Sequence, residues 1–308
     1  MPNHAPNPGD ADPLNLHGVI PPTLTAFDED ESINHQQTAA QAEFVVDRGV
    51  HAVFPLGTNG ELPLIDPVER RRVVETVVDA VGSEVPVIAG VGAPSTRATI
   101  RHAQQAVEAG ADGLVVVTPY YYPLDHEGAV EHYRRVGAAV DRPIYLYHIP
   151  QRTGNELAPE TMAAIARVDG VSGVKDTSEN VPWLARVMAT SPDLTYLAGS
   201  NDLLYTGLEL GCAGVVSSIA NAFPELVVEL YEAFDAGEEA RARALQARVF
   251  EVTSAFDRGP YMASVKTALA LRDVAVDPGV LRRPLRRLDD EETAALAADL
   301  AALDLIEE

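Results

Sequence analysis

The chain has 308 residues, with 46 Asp and Glu against 23 Lys and Arg, a formal net charge of -23 and one cysteine. This length suits one large barrel domain or two smaller domains, and it allows a large buried core. The negative charge argues against nucleic acid or an anionic membrane as a partner, because both would be repelled. Without a disulfide pair, a leader-like start or a long apolar run, we expect a cytoplasmic protein.

Lysine is nearly absent, since Lys175 and Lys266 are the only two lysines among the 23 basic residues. An acidic, lysine-poor composition indicates a halophilic protein from a salt-rich cytoplasm, and high-GC codon usage is the alternative explanation. Either pressure makes a remaining lysine informative, because the lysine amine can form an imine and arginine cannot.

In chain order, residues 1–17 are rich in proline, asparagine and aspartate, and we expect a flexible tail. From residue 18 onward, short β-branched runs alternate with longer helical patterns. The predicted strands cover 18–26, 51–56, 85–91, 112–118, 143–148, 171–175, 194–199 and 213–217. The predicted helices cover 34–49, 66–82, 95–110, 125–140, 158–168, 179–190, 200–211 and 222–235.

Eight such units in residues 18–235 predict an α/β fold, namely a closed (β/α)8 TIM barrel. Continuous apolar strands such as LVVV (114–117) are typical of a parallel sheet buried on both faces. No GxGxxG motif follows the first strand, which disfavours a doubly wound dinucleotide-binding sheet. Residues 236–308 show helical patterns alone, so we expect a C-terminal helical region packed on the barrel. Its last helix should begin at the acidic residues 289–292.

Catalytic groups of such barrels lie at the C-terminal ends of the strands, and Lys175 occupies one of these ends. It follows an apolar run, so burial should lower its pKa toward the range of a nucleophile. Such a lysine implies a carbonyl substrate and requires neither metal nor cofactor. The alternative is a lysine held by an acid such as Asp176 or Glu61. For Lys266, within an apolar helical pattern, we expect a structural role, with snorkelling or pairing to an acid in the C-terminal helices.

Other strand ends carry further candidates. Tyr147 could shuttle protons or could be a packed barrel aromatic. The GTNGE turn (57–61) offers amides and a hydroxyl to a carboxylate, or is an ordinary glycine-rich loop. The YYYP run (120–123) is an interface wedge or part of the site, and Arg152 clamps an anionic group or caps the surface.

No metal site is predicted. The eight histidines form no HExxH motif, and the lone cysteine cannot anchor a zinc site. His148 is the one histidine placed on the catalytic face.

Four motifs together carry a family resemblance. GTNGE (57–61), TPYYYP (118–123), YLYHIPQRTG (145–154) and GVKDTSEN (173–180), in this order, resemble the dihydrodipicolinate synthase and N-acetylneuraminate lyase family over about residues 18–300. The resemblance implies a (β/α)8 barrel, commonly a homotetramer, in which a lysine forms a Schiff base with pyruvate or another 2-keto acid and no cofactor is needed.

The resemblance also implies roles for individual residues. Lys175 corresponds to the nucleophile and Tyr147 to the proton shuttle, which Thr58 and a neighbouring subunit's Tyr121 complete. The residues expected to bind the substrate are Gly57, Asn59, His148, Arg152, Gly199 and Val216.

Members of this family differ in their substrates, and the motifs point to two alternatives. Asn59 and His148 depart from the synthase pattern, whereas the triple tyrosine, KDTSEN (175–180) and the PLRRLDDEE stretch (284–292) are similar to archaeal-type 2-keto-3-deoxygluconate aldolases. We therefore favour cleavage of 2-keto-3-deoxygluconate, or its 6-phosphate, to pyruvate and glyceraldehyde or its phosphate. Arg152 instead matches the synthase arginine, so the alternative is 4-hydroxy-tetrahydrodipicolinate synthase, which condenses pyruvate with aspartate semialdehyde. A barrel that binds a keto acid without turnover is a third hypothesis.

Overall fold

The computed structural model describes residues 13–307, and a parallel sheet forms its centre. The strands are β1 (Gly18–Val19), β2 (Ile88–Gly90), β3 (Gly113–Val117), β4 (Ile144–His148), β5 (Val171–Asp176), β6 (Thr195–Ala198) and β7 (Gly214–Val215). They are hydrogen-bonded in the order β1-β7-β6-β5-β4-β3-β2, and every pair is parallel. The two edge strands, β1 and β2, are joined by the segment 51–55.

This segment closes the barrel without forming a regular strand, although a strand was expected over 51–56. On one side the His51 amide donates to the Val19 carbonyl over 2.8 Å, and on the other the Gly90 amide donates to the Pro55 carbonyl over 2.9 Å. Prolines 21, 22, 55 and 86 lack the N–H groups that a continuous ladder requires, so the pairing is interrupted. The eight-unit barrel predicted from the sequence is confirmed, with one unit of irregular backbone.

Helices cover the outside of the barrel and follow most strands. They are α1 (His35–Val46), α2 (Pro67–Val81), α3 (Thr96–Glu108), α4 (His126–Gly137), α5 (Pro150–Thr153), α6 (Pro159–Ile165), α7 (Val181–Thr190), α8 (Leu204–Leu210) and α9 (Pro224–Asp235). Asn34, Ser95, Asp125 and Asn180 cap helices by accepting a backbone N–H, which explains why polar residues before apolar periods mark helix starts.

Three further helices follow the barrel: α10 (Glu239–Phe256), α11 (Tyr261–Ala270) and α12 (Asp290–Ala302). α10 packs on α9, and α12 packs on α10 and α11. As predicted, the acidic residues 289–292 begin the last helix, where the Asp289 side chain accepts from the Glu292 amide over 2.9 Å.

The hydrophobic residues form two layers, as the alternation of side chains along parallel strands requires. The larger core fills the space between the sheet and the helices. The smaller core fills the barrel and includes Phe54, Tyr145, Tyr147 and Leu197. Leu16 belongs to this inner core and is 3% exposed, so the ordered chain begins before residue 18. Residues 1–12 of the predicted tail lie outside the described residues.

A buried histidine in α4 generates a prediction about pH. The Nδ1 atom of His132 lies 2.9 Å from Thr96 Oγ1, and burial lowers the pKa of His132 from 6.5 to about 4. Between these values the unfolded chain binds more protons, so this contribution to stability is present above pH 6.5 and is lost as the pH falls toward 4. His132→Asn keeps a polar atom facing Thr96. Between pH 7 and pH 4, the free energy of unfolding of this variant should fall by about 3 kcal/mol less than that of the wild type. Urea unfolding at both pH values measures this difference, and parallel losses in the two proteins would contradict it.

Candidate active site

A cavity of about 400 Å³ lies at the C-terminal ends of the strands. Several neighbouring strands contribute to it, because the C-terminal ends of parallel strands meet at one mouth of the barrel. The predicted site residues that line it are Thr58, Asn59, Tyr147, Arg152, Lys175, Gly199 and Val216.

Lys175 is buried at the end of β5, with 4% of its surface exposed. Burial lowers the pKa of its amine, and the electrostatic and hydrogen-bonding influence of Tyr147 offsets this lowering in part. Within residues 13–307, no carboxylate forms an ion pair with it. Its Nζ atom instead lies 3.4 Å from the centre of the Tyr147 ring. The acid-paired alternative for Lys175 therefore does not hold, and the amine faces the cavity with a depressed pKa.

Gly199 allows this arrangement, because a Cβ atom there would lie 2.3 Å from Thr177 Oγ1 and 3.1 Å from the Cε atom of Lys175. A larger residue would therefore displace Thr177 or the backbone at Asp176 and crowd the lysine side chain.

Tyr147 at the end of β4 is paired in register with Lys175 on β5, so both side chains point into the barrel. Its hydroxyl lies 3.3 Å from Thr58 Oγ1. Burial alone would raise the pKa of Tyr147, but the Lys175 charge and hydrogen bonds from Lys175, Thr58 and Thr177 outweigh burial and lower it. A phenol of lowered pKa beside an amine is suited to accept and return a proton.

The GTNGE turn (57–61) presents unused donors to the cavity. Among the described residues, the backbone amides of Thr58 and Asn59 donate to no protein acceptor. Two hydrogen bonds stabilise the turn. Within it, the Glu61 amide donates to the Thr58 carbonyl over 3.1 Å, and from outside it Thr25 Oγ1 donates to the Gly60 carbonyl over 2.9 Å. Two free N–H groups in succession, next to a threonine hydroxyl, are groups that can bind an anion.

Arg152 in α5 lies at the edge of the cavity and is exposed. In the part of the chain that the structure describes, its guanidinium forms no hydrogen bond or ion pair with another side chain. It is therefore free to bind an anionic group of a ligand in a bidentate manner.

Three predicted site residues do not line this cavity. His148 is fully buried on the outer face of the sheet, where its Nδ1 atom lies 2.9 Å from Asp176 Oδ1 and its ring stacks on Trp183. Its assignment to substrate binding is wrong, because residues that are adjacent on a strand point to opposite faces and Tyr147 takes the inner one. Gly57 lies beneath the cavity, packed on Phe54.

Tyr121 is 83% exposed and does not line the cavity of its own chain. The family resemblance assigns it to a neighbouring subunit's site, and that role stays a prediction.

The cavity is also lined by Asn201, whose position after a predicted strand places it on the catalytic face, and by Ser218 and Tyr261, which the sequence analysis did not assign to it. Asn201, Ser218 and Tyr261 form a hydrogen-bonded cluster, in which Asn201 Nδ2 donates to the Tyr261 hydroxyl over 2.7 Å and to Ser218 Oγ over 2.8 Å. Asn201 and Ser218 both follow strands, so their positions in the sequence are the signal by which they can be assigned to this mouth of the barrel. Tyr261 belongs to α11, beyond the last strand, so no pattern could have placed it here.

Two carboxylates, Glu179 and Asp202, line the cavity near this cluster. Burial, together with the charges of Glu179 and Asp257, raises the pKa of Asp202. Glu179 adopts a left-handed backbone conformation with a φ of 61° and accepts a hydrogen bond from Ser200. One side of the cavity is therefore rich in donors and the other in hydroxyls and carboxylates.

Lys266, the second lysine, lies outside this cavity. As expected it pairs with an acid, but the partner is Glu61 of the GTNGE turn, at 2.8 Å, and not an acid of the C-terminal helices. The chain reaches this partner because α11 packs against the barrel behind the turn.

A model of the Dihydrodipicolinate synthetase family matches residues 15–303. The chain belongs to this family. Within the dihydrodipicolinate synthetase family, a protein of Halobacterium salinarum described as an uncharacterized DapA-like lyase is 63% identical, over 99% of this chain and 100% of its own length. A 4-hydroxy-tetrahydrodipicolinate synthase of Methanopyrus kandleri is 37% identical, over 96% of this chain and 99% of its own.

Solved structures of the dihydrodipicolinate synthetase family have the same fold. YagE, a prophage protein of this family from E. coli K12 solved in complex with pyruvate, superposes with a TM-score of 0.90 at 31% identity, covering 94% of this chain and 99% of that one. Enzymes of the family form a lysine Schiff base with pyruvate and need no cofactor. The chain is accordingly a Schiff-base lyase, and the family predicted from its motifs is confirmed.

Two further observations concern metal ions and membranes. Over residues 13–307, no three His, Cys, Asp or Glu side chains form a group that could hold a metal ion. Over the same residues, no helix is both long and apolar enough to cross a membrane.

The buried amine of Lys175 should lower the stability of the fold. Because its pKa is lower in the folded state, the folded chain binds fewer protons, and the resulting cost grows as the pH falls from the unfolded pKa of about 10.5. Lys175→Met should therefore raise the free energy of unfolding at pH 7, with a smaller gain at pH 10, close to the unfolded pKa. Denaturant titration at both pH values checks this, and a destabilised Lys175→Met protein at pH 7 would contradict the argument.

Proposed function

We propose that this protein is a pyruvate-dependent class I aldolase that cleaves a 2-keto-3-deoxy sugar acid, such as 2-keto-3-deoxygluconate or its 6-phosphate. One observation carries the proposal: the buried amine of Lys175, which forms no ion pair, lies against Tyr147 in a cavity that is also lined by the GTNGE turn, with its free amides, and by a wall of hydroxyls and carboxylates from Ser218, Tyr261, Glu179 and Asp202. The amides suit the C1 carboxylate of a keto acid, and the wall suits the hydroxyl groups of a sugar chain.

The first step is imine formation. The neutral Lys175 amine attacks the C2 ketone of the substrate and a carbinolamine forms. Tyr147 donates its proton to the carbinolamine hydroxyl, which leaves as water as the C2–N bond becomes an iminium, and Tyr147 is left as a phenolate. The C1 carboxylate binds at the Thr58 and Asn59 amides, with the Thr58 hydroxyl beside it, which orients C2 toward the amine. The lowered pKa of Lys175 makes the neutral nucleophile available.

The second step is carbon–carbon cleavage. Tyr147 takes the proton of the C4 hydroxyl, C4 becomes an aldehyde, and the electrons of the broken C3–C4 bond move into the iminium to give an enamine. Glyceraldehyde or its phosphate leaves. Protonation at C3 and addition of water at C2 then release pyruvate and restore the amine.

Specific observations favour a second candidate, 4-hydroxy-tetrahydrodipicolinate synthase. Arg152 is free at the cavity edge, where it could hold the carboxylate of aspartate semialdehyde, and Glu179 and Asp202 could hold its ammonium group. The relative from Methanopyrus kandleri has this name. The sugar acid remains our first choice, because the wall includes the neutral Asn201–Ser218–Tyr261 cluster, which suits hydroxyl groups rather than an ammonium.

Assembly and location extend the proposal. We infer a cytoplasmic homotetramer in which the exposed Tyr121 of one subunit completes the relay of Tyr147 and Thr58 in another. A salt-rich cytoplasm is consistent with the net charge of -23 and with the 63% identical relative from Halobacterium salinarum.

A condensation assay separates the two candidates. Enzyme and pyruvate are incubated in parallel with glyceraldehyde and with aspartate semialdehyde, and the condensed product is followed by mass spectrometry. We expect the larger kcat/KM with glyceraldehyde. Preference for the semialdehyde would replace our first choice with the synthase, and the Lys175→Met protein, inactive with both aldehydes, is the control for enzyme-independent condensation.

Tyr147→Phe tests the proton shuttle. Loss of a general acid–base group should lower kcat by about 100-fold to 10,000-fold, while the phenyl ring still fills the barrel. Tyr133→Phe is a matched control, because it removes another buried hydroxyl, one that donates to the Val116 carbonyl over 3.2 Å outside the cavity. Steady-state kinetics should leave Tyr133→Phe near the wild-type rate, and equal losses in both variants would argue against a chemical role for Tyr147.

A further inference from the structure

A buried ion pair lies behind the cavity and joins two distant parts of the chain. Lys266 in α11 is 3% exposed, Glu61 is 2% exposed, and Lys266 Nζ lies 2.8 Å from Glu61 Oε1. The ammonium also donates to the carbonyls of Thr25, over 2.8 Å, and Val280, over 2.6 Å. Three oxygens therefore lie within 2.8 Å of the ammonium, where the two carbonyls accept its hydrogen bonds and the carboxylate pairs with its charge.

The pair is connected directly to the GTNGE turn. Glu61 is its last residue and has a φ of 56°, a conformation that costs free energy for a residue with a side chain. Its Oε2 atom accepts a second bond from the backbone amide of Arg282 over 2.9 Å. Its own amide donates to the Thr58 carbonyl. The carboxylate thus fixes the end of the turn whose middle residues line the cavity.

The need for this geometry accounts for the second lysine of a lysine-poor chain. An ammonium can face three oxygens that converge on one point, whereas the planar guanidinium of arginine spreads its donors in a fork. Stability alone is a weaker explanation, because replacing a buried ion pair with apolar residues is often neutral or stabilising. A function for the pair is therefore indicated.

We propose that Glu61 and Lys266 are positioning residues that hold the Thr58 and Asn59 amides in place for the substrate carboxylate. The proposal rests on the function proposed above. It makes α11 and the segment around Arg282, both beyond the barrel strands, part of the support for the keto-acid end of the site. Displacement of the turn would also lengthen the contact between Thr58 and the Tyr147 hydroxyl.

Glu61→Gln is the primary test. The amide keeps the volume of the side chain and an acceptor for Arg282, and Lys266 keeps two carbonyl partners, so the chain should fold. The enzyme is reduced with borohydride over a range of pyruvate concentrations, and the adduct on the Lys175 peptide is measured by mass. We expect the half-saturating pyruvate concentration to rise about tenfold, while kcat at saturating substrate changes much less.

Two further variants control the result. Glu61→Gln combined with Lys266→Met removes both charges, so no lone charge is buried, and it should weaken pyruvate capture at least as much. Leu296→Ala truncates a fully buried side chain in α12, which should lower the melting temperature while leaving the half-saturating concentration unchanged.

The outcomes separate the two proposals. If the Glu61→Gln protein and the Glu61→Gln, Lys266→Met protein fold and have the wild-type half-saturating pyruvate concentration, the positioning role is overturned. A raised half-saturating pyruvate concentration in the Leu296→Ala protein would overturn it as well, because loss of stability alone would then explain weaker pyruvate capture. Absence of any adduct in the wild type would instead reject the imine function itself.

Discussion

The register between β4 and β5 is the constraint on which the site depends. Tyr147 pairs with Lys175 and, one step further, His148 pairs with Asp176. Because side chains alternate, the first pair points into the barrel and the second points out toward Trp183. In the outer pair, His148 and Asp176 are hydrogen-bonded over 2.9 Å and the His148 ring stacks on the indole, so the Asp176 carboxylate faces away from the lysine amine. One register thus provides an amine without an acid partner on the inside and a hydrogen-bonded histidine and aspartate on the outside.

The same alternation explains what the sequence could and could not predict. Strand ends and apolar runs were sufficient to place Lys175, Tyr147 and the GTNGE turn at one mouth of a barrel. His148 was placed wrongly because position at a strand end does not say which face a side chain takes, and a shift of one residue reverses it. Tyr261 and the partner of Lys266 were not predictable, since both depend on how α11 docks on the barrel, and long-range packing leaves no local period in the sequence.

Charge is distributed unevenly within a strongly acidic chain. The net charge of -23 repels anions at long range, yet the cavity is lined by Lys175, by Arg152 and by the turn that carries two free amides. Salt screens the exposed charges over about 8 Å at physiological ionic strength and over less in brine, whereas buried groups are screened little. The inner donors therefore keep their effect where the repulsive surface is screened. A salt-rich cytoplasm would favour the binding of an anionic substrate to such a protein.

The two lysines differ in what surrounds them, and this difference assigns their roles. Burial lowers the pKa of both amines. Lys266 meets a carboxylate and two carbonyls, which occupy its donors and hold the amine in place. Lys175 meets an aromatic ring and a cavity, so its lone pair can be exposed to a ligand when the proton leaves. These surroundings support the roles proposed above. Lys266, which oxygens surround, would hold the turn that binds the substrate carboxylate, and Lys175, which has no acid partner, would be the nucleophile.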